Sequence, residues 1–167
     1  FKKVREAIPE ARLVLIGRDS FDLLTQSSST WELLKKEFDD IDLQQVSYLG
    51  MMPYTAVQEY IKKAHLCVFP SFAETFGMVT IEAMAMQKPV VSNDFGWSQE
   101  LIVSGQNGFL VHPKKHTDFA KTIVTLLEDE HLCEKIGAAA RHRVESIFDI
   151  QQIVQQNVDF YESIISK

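Results

Sequence analysis

Little in this chain is basic, sulfur-rich or continuously apolar. Its 17 Lys and Arg stand against 23 Asp and Glu, a formal net charge of −6 over 167 residues. A general nucleic-acid binder carries a basic stripe, so this balance argues against one while leaving room for a local basic pocket. Two cysteines make no disulfide framework. Cys67 lies in an apolar strand-like run and Cys133 in a helical one, which suits reduced core residues and a cytoplasmic protein. No run approaches the roughly 20 apolar residues of a membrane span, and no signal-peptide pattern opens the chain. A metal site is not evident: His112 and His116 are four apart, but Pro113 breaks the helix that would align them. His65, His131 and His142 stand alone. Ser71 follows Pro70 without the glycine-flanked elbow of a nucleophilic serine. Repeats and low-complexity linkers are also missing.

What is present is an alternation of apolar strands and amphipathic helices. Phe1, Val4, Ala7 and Ile8 share a helical face that Pro9 ends. Leu13–Ile16 reads as a buried strand turning at Gly17, and Thr30 is placed to cap a helix over Trp31–Phe38. Val46–Leu49 is a second strand. After Pro53, a helix over Thr55–Lys63 turns Ala56, Val57, Tyr60 and Ile61 inward. Leu66–Phe69 is the third strand and Val79–Met86 its helix, followed by strands at Pro89–Ser92 and Phe109–Val111. Helices at Asp118–Glu128, Leu132–Ser146 and Ile150–Ile165 close the chain. Strands apolar throughout, alternating with helices, predict an α/β fold: a doubly wound, mostly parallel, Rossmann-like sheet covered on both faces. Ligands of such sheets bind at the carboxyl ends of the strands, where Gly17, Gly50 and Ser71–Gly77 fall.

The richest segment is Glu74 to Glu82, E-T-F-G-M-V-T-I-E, between a strand and a helix. A helix start has unpaired N–H groups and partial positive charge, a seat for phosphate. Gly77, without a Cβ, lets backbone approach a ligand. A carboxylate only accepts hydrogen bonds, so Glu74 and Glu82 suit sugar hydroxyls. Anion at the amides and hydroxyls at the acids describe a nucleotide-sugar. Glu82 is read in the first turn of its helix, where placement by the helix dipole is the simpler account of an acid. Phe76 and Met78 are equally core-packing types, and Thr80 is either a helix-start residue or a phosphate donor.

Val46-Ser47-Tyr48-Leu49-Gly50, Phe69-Pro70-Ser71, Glu74 with Phe76-Gly77, Glu82-Ala83-Met84-Ala85, Lys88-Pro89-Val90-Val91 and Gly108-Phe109-Leu110-Val111 follow one another in a familiar order. Together they resemble the C-terminal, donor-binding lobe of retaining GT-B glycosyltransferases of the group 1, or family 4, type. The likeness is strong from Val46 to Val111 and weaker before it. Two positions depart from that pattern. Gly96-Trp97 stands where the family has Gly-Gly, and Gln87-Lys88 where it has glycine before Pro-Val. The second costs a favourable left-handed residue at a helix end.

The resemblance implies that Glu82 takes the ribose hydroxyls of the donor. Glu74 faces the transferred sugar as the catalytic carboxylate. Phe76, Gly77, Met78 and Val79 offer amides to sugar and diphosphate, and Gly50 and Met51 read the base, largely with backbone. Gly17 and Arg18 lie at the same edge, where Arg18 is either a phosphate ligand or an exposed turn arginine. The Met51 and Met52 side chains are read as packing, and Glu100 as a surface acid or a backbone acceptor near the donor. The implied chemistry needs no metal or other cofactor, the nucleotide-sugar being substrate. In that family the lobe begins one strand earlier, with an Arg and a Lys for the diphosphate, in the middle of a 3-2-1-4-5-6 sheet. Residues 1–167 are therefore expected to form a single nucleotide-sugar-binding domain of a longer two-lobe enzyme. Its first strand would be absent or its place filled by a partner chain, and the piece alone inactive. The acceptor, a glycan or lipid as in polysaccharide biosynthesis, would meet the other lobe, in the cytoplasm or at the inner membrane face. The stripe Ile150, Ile153, Val154, Val158, Tyr161, Ile164 and Ile165 is expected to brace that lobe and to self-associate when exposed. Two rival functions remain: a non-catalytic nucleotide-sugar-binding or interaction module, and a nucleotide-sugar 2-epimerase, to whose acidic loop Asp94–Glu100 bears a faint likeness.

Overall fold

The structure, a computed structural model, describes residues 1–165. Its elements in chain order are α1 (Lys2–Ala7), β1 (Leu13–Leu15), α2 (Thr30–Lys35), α3 (Asp40–Leu43), β2 (Val46–Tyr48), α4 (Tyr54–Lys63) and β3 (Cys67–Phe69). They continue with α5 (Met78–Ala85), β4 (Val90–Ser92), α6 (Ser98–Leu101), β5 (Phe109–Leu110), α7 (His116–Glu128), α8 (Glu130–Phe148) and α9 (Ile150–Ile165). The α/β reading holds, and every strand pair is parallel. The strands form two sheets: β1-β2, with Leu13 opposite Val46 and Leu15 opposite Tyr48, and β3-β4-β5, with Cys67 opposite Val90.

The chain divides into two compact units, Phe1–Lys63 and the residues from Ala64 on. In the second, Val90, Val91 and Ser92 of β4 are buried in succession, as a strand covered on both faces requires. Phe119 and Leu126 of α7 pack on Val91 with Val68, Phe109 and Ile123 around them. α8 lies so close to the end of α5 that a Cβ on Gly137 would stand 2.3 Å from the Gln87 carbonyl oxygen. In the first unit Val14, in the middle of β1, is exposed, and Val4 and Ile61 are its buried apolar side chains. A 2.7 Å ion pair between Arg5 and Asp42 ties α1 to α3 there.

Several local expectations shift. Ser29, not Thr30, caps α2, its Oγ accepting from the Glu32 amide at 2.9 Å. The backbone decides it: Ser29 is extended, at φ −143° and ψ +116°, and Thr30 is already the first residue of the helix. Tyr60 stays partly exposed rather than turned inward. The short helices α3 and α6 carry too few residues for a periodic apolar pattern, and the sequence gives no hint of them. Gln87 adopts φ +62°, the left-handed conformation expected at that helix end. Among the described residues, no helix is long and apolar enough to cross a membrane, and both cysteines are free. Burial pushes the Cys67 thiol up to about 11, so it stays protonated and unreactive.

Candidate functional site

In the second unit the carboxyl ends of β3 and β4 are pinned together by buried polar side chains. Asn93, fully enclosed, donates its Nδ2 to the Ser71 carbonyl at 2.8 Å. Ser92 Oγ donates to the Phe69 carbonyl at 3.4 Å and shares a 3.1 Å hydrogen bond with Ser98 Oγ. These ties fix the base of the loop that runs from Ser71 to Gly77.

Gly77 ends that loop with φ +71° and ψ +41°, a conformation that a residue with a Cβ rarely adopts. It is the N-cap of α5 and brings no side-chain cap. Its carbonyl accepts from Thr80 and Ile81, at 2.9 and 3.1 Å. The amides of Phe76, Gly77, Met78 and Val79 donate to no group among the described residues. A glycine start thus leaves a run of N–H donors without partners at the positive end of an eight-residue helix, Gly77 buried and Met78 and Val79 exposed.

Because the left-handed Gly77 starts the helix at Met78, Glu82 is its fifth residue and not in the first turn. That placement weakens the dipole account of the acid, since the dipole effect fades beyond the first turn. Glu82 lies four residues from Met78 and three from Val79, on the same helix face and about 6 Å along the axis from Met78. Its flanking residues Ile81 and Ala83 are buried, whereas Glu82 is half-exposed. Among the described residues, no hydrogen bond or ion pair engages its carboxylate. An uncommitted acceptor therefore lies about one turn along the helix from its unpaired N–H donors, on the face of the exposed Met78 and Val79 side chains.

Glu74 is exposed and accepts its neighbour's amide, Thr75 N–H to Oε1, at 3.0 Å. Its Cγ stands 3.6 Å from where a Gly77 Cβ would be, so the side chain lies against the glycine. Phe76 packs edge-on to Trp97 at 5.2 Å and to Phe148 at 5.9 Å. Phe76 thus combines core packing with an open amide, whereas the Met78 side chain is exposed and does no packing. Thr80 is buried. Glu100 is exposed, and it is Gln99 that reaches the loop backbone, donating to the Asp94 carbonyl at 2.6 Å.

In the first unit Gly17 and Gly50 meet at the carboxyl ends of β1 and β2, the Gly17 amide donating to the Gly50 carbonyl at 3.0 Å. Gly50 has φ +64°, and nothing lies within 4 Å of a Cβ built on either glycine, so both backbones stand open. Met51 is 79% exposed, against the expectation that it packs. Arg18 is exposed. A cavity of about 220 Å³ opens here among Leu15, Gly17, Arg18, Asp19, Trp31 and Tyr48. Tyr48 stacks on Trp31 at 4.8 Å and donates its hydroxyl to the Gly17 carbonyl at 3.1 Å. Asp19 holds the cavity rim by accepting from Ser29 Oγ, Thr30 Oγ1 and the Ser20 and Trp31 amides. Led by the Ser29 bond, these donors hold the Asp19 carboxyl down to about 2. Sequence reading passed over Asp19 and Trp31. The Ser-rich run at 26–30 was the available signal, a supply of donors awaiting an acceptor. Among the described residues no group of His, Cys, Asp and Glu could hold a metal ion.

The family description "Glycosyl transferases group 1" matches residues 1–143, and the chain belongs to that family. It is similar to the trehalose synthase of Thermococcus litoralis, 29% identical over 98% of this chain and 39% of the relative. It is also similar to the capsular polysaccharide biosynthesis glycosyltransferase CapM of Staphylococcus aureus, 28% identical over 99% of this chain and 44% of that protein. Among solved structures it resembles HepE of Anabaena, crystallised with UDP, at a TM-score of 0.83 and 27% identity. That likeness covers 97% of this chain and 44% of HepE. The fold is that of the GT-B glycosyltransferases. The chain spans about two fifths of the length of the relatives it matches.

Proposed function

We propose that this chain is the donor-binding lobe of a longer retaining glycosyltransferase, and that the start of α5 seats a nucleotide-diphosphate sugar. The observation that carries the reading is the run of amides without hydrogen-bond partners at Gly77–Val79, at a helix start, with the uncommitted carboxylate of Glu82 one turn along. HepE, which shares the fold at 27% identity, has been crystallised with UDP and with UDP-glucose.

In this reading the amides of Gly77, Met78 and Val79 take diphosphate oxygens, and Glu82 accepts from the ribose hydroxyls. Glu74 faces the transferred sugar. Gly50, Met51, Gly17 and Arg18 serve the base and the phosphates with open backbone and one cation. As the C–O bond to the diphosphate breaks, negative charge grows on the leaving oxygens and positive charge on the sugar ring. Fixed N–H dipoles meet the first, and the Glu74 carboxylate meets the second. No metal or cofactor is assigned a role. The acceptor, a glycan or lipid, is assigned to the other lobe, and cytoplasmic placement is carried over with the resemblance. The exposed stripe of α9, where Ile150, Val154, Tyr161, Ile164 and Ile165 face solvent, is assigned to the rest of the enzyme, with self-association where that partner is missing.

Isothermal titration of the full-length protein with UDP-glucose and GDP-mannose tests the assignment. Glu82→Ala should lower the affinity of the donor that binds by about ten- to a hundredfold, since charge-assisted hydrogen bonds contribute about 1.5–3 kcal/mol. Unchanged affinity in the variant would remove Glu82 from the site.

A further inference from the structure

We propose that Trp97 is a specificity-determining residue, its indole stacking on the sugar ring of the donor held at Glu74. The proposal rests on reading this site as a nucleotide-sugar seat and adds the group that recognises the sugar itself.

Trp97 stands where the resembled family has a second glycine, and the backbone here does not need one. Gly96 takes the left-handed turn at φ +62°, while Trp97 sits at φ −60° and ψ −22°, open to any residue. The indole is therefore not dictated by the loop's geometry. Nor is it dictated by burial, for the residue is 44% exposed. A large aromatic left partly in water beside a ligand loop is surface kept for contact.

Its position is fixed from behind. The ring leans on Phe76 at 5.2 Å, and Phe76 leans on Phe148 at 5.9 Å. α6, which Trp97 begins, is anchored by the Ser98–Ser92 hydrogen bond, by the buried Leu101, and by Arg143 Nη2 donating to the Glu100 carbonyl at 3.0 Å. An indole held in this way loses little freedom when a ligand arrives. α6 and Glu74 also converge: Leu101 Cδ1 and Glu74 Cγ stand 3.5 and 3.6 Å from the same point above Gly77.

A pyranose offers two kinds of surface, a rim of hydroxyls and a face of C–H bonds. The carboxylate accepts from the rim. The electron-rich face of an indole attracts the polarised C–H face. Glu74, lying against Gly77, and Trp97, lying against the neighbouring Phe76, supply this pair. A bare nucleoside diphosphate has no pyranose ring, so it should be indifferent to Trp97.

The experiment compares wild-type, Trp97→Ala and Trp97→Phe full-length protein by calorimetric titration with UDP, UDP-glucose, GDP and GDP-mannose. Trp97→Ala should lose about three- to tenfold in affinity for the nucleotide-sugar while its affinity for the matching diphosphate stays within about twofold. Trp97→Phe should keep most of the wild-type preference. Equal losses for sugar-bearing and bare nucleotide mean that Trp97 only shapes the loop, and unchanged affinities mean that it does not touch the sugar; either overturns the proposal. If the wild type binds none of the four, the seat itself is misassigned and this inference goes with it. If Glu82→Ala weakens binding while Trp97→Ala does not, the seat stands and the stacking role alone is lost.

Discussion

The two compact units are held together by different means. From Ala64 on, the interior is close-packed: Met84, Val90, Val91, Leu101, Leu126 and Ile136 are almost wholly enclosed, with Ser92, Asn93 and Ser98 buried and hydrogen-bonded among them. In Phe1–Lys63 the ties are polar. Arg5 pairs with Asp42, Asp19 collects four hydrogen bonds, Ser29 caps α2, and Tyr48 reaches back to Gly17. A close-packed region is sensitive to volume and a polar one to charge. The difference also bears on the binding loops. The amides of α5 project from a rigid base, whereas Gly17 and Gly50 rest on a few hydrogen bonds.

Substitutions sort along that line, and the largest effect should come from volume. Gly137→Ala forces a methyl group into the Gln87 carbonyl, which stands 2.3 Å from the required position. Backbone cannot swing aside as a flexible side chain can, so a loss of about 3 kcal/mol is expected. Urea unfolding measures it, and hydrogen exchange should show the loosening from Ala64 on but not in α1 or α2. Protection lost equally in both regions would erase the distinction.

Arg5→Ala comes next, in the other unit. It strands the Asp42 carboxylate, whose side chain is only 9% exposed. A loss of about 2 kcal/mol is expected, somewhat less than for a fully buried pair. The double variant Arg5→Met, Asp42→Leu should recover most of it, because it removes the unpaired charge along with the pair. Failure to recover would mean that packing by the arginine stem, not charge, holds α1 to α3.

A smaller gain should follow Gln87→Gly, which replaces a side-chain-bearing residue at φ +62°. Removing the left-handed strain should add about 1 kcal/mol to stability. A loss would show that the glutamine side chain makes a compensating contact. The smallest effect is local and set by pH. The Asp19 carboxyl is held at about 2 in the fold, below its ordinary 3.8. Its contribution is therefore complete above about pH 4 and is lost as pH falls toward 2. Exchange protection of the Ser20 and Trp31 amides should drop through that window, while the amides of β4 are unaffected. A β4 that loosens at the same pH would mean that acid acts globally.

The parallel α/β layout was legible because buried strands and amphipathic helices leave distinct apolar periods. Ile150–Ile165 was bounded from its stripe alone. The seat was legible too, since Glu74, Gly77 and Glu82 lie close together in the chain and a glycine between strand and helix has few other uses. Asp19 escaped notice because its donors sit ten to twelve residues away in a loop with no period. The true cap of α2 is ambiguous in sequence because Ser29 and Thr30 are equally able caps, and the backbone turn at Ser29 decides between them. α3 and α6 are each one turn long, too short for any pattern to register.

The sequence by itself determined which segments are strands and helices, and that an acid and a glycine-started helix adjoin, because those features depend on neighbours within a few residues. The tertiary structure decided what those neighbours face. It set Trp97 against Phe76 and divided the strands between two sheets. Such outcomes depend on which groups meet across tens of residues, and chain connectivity alone does not encode that in any local run.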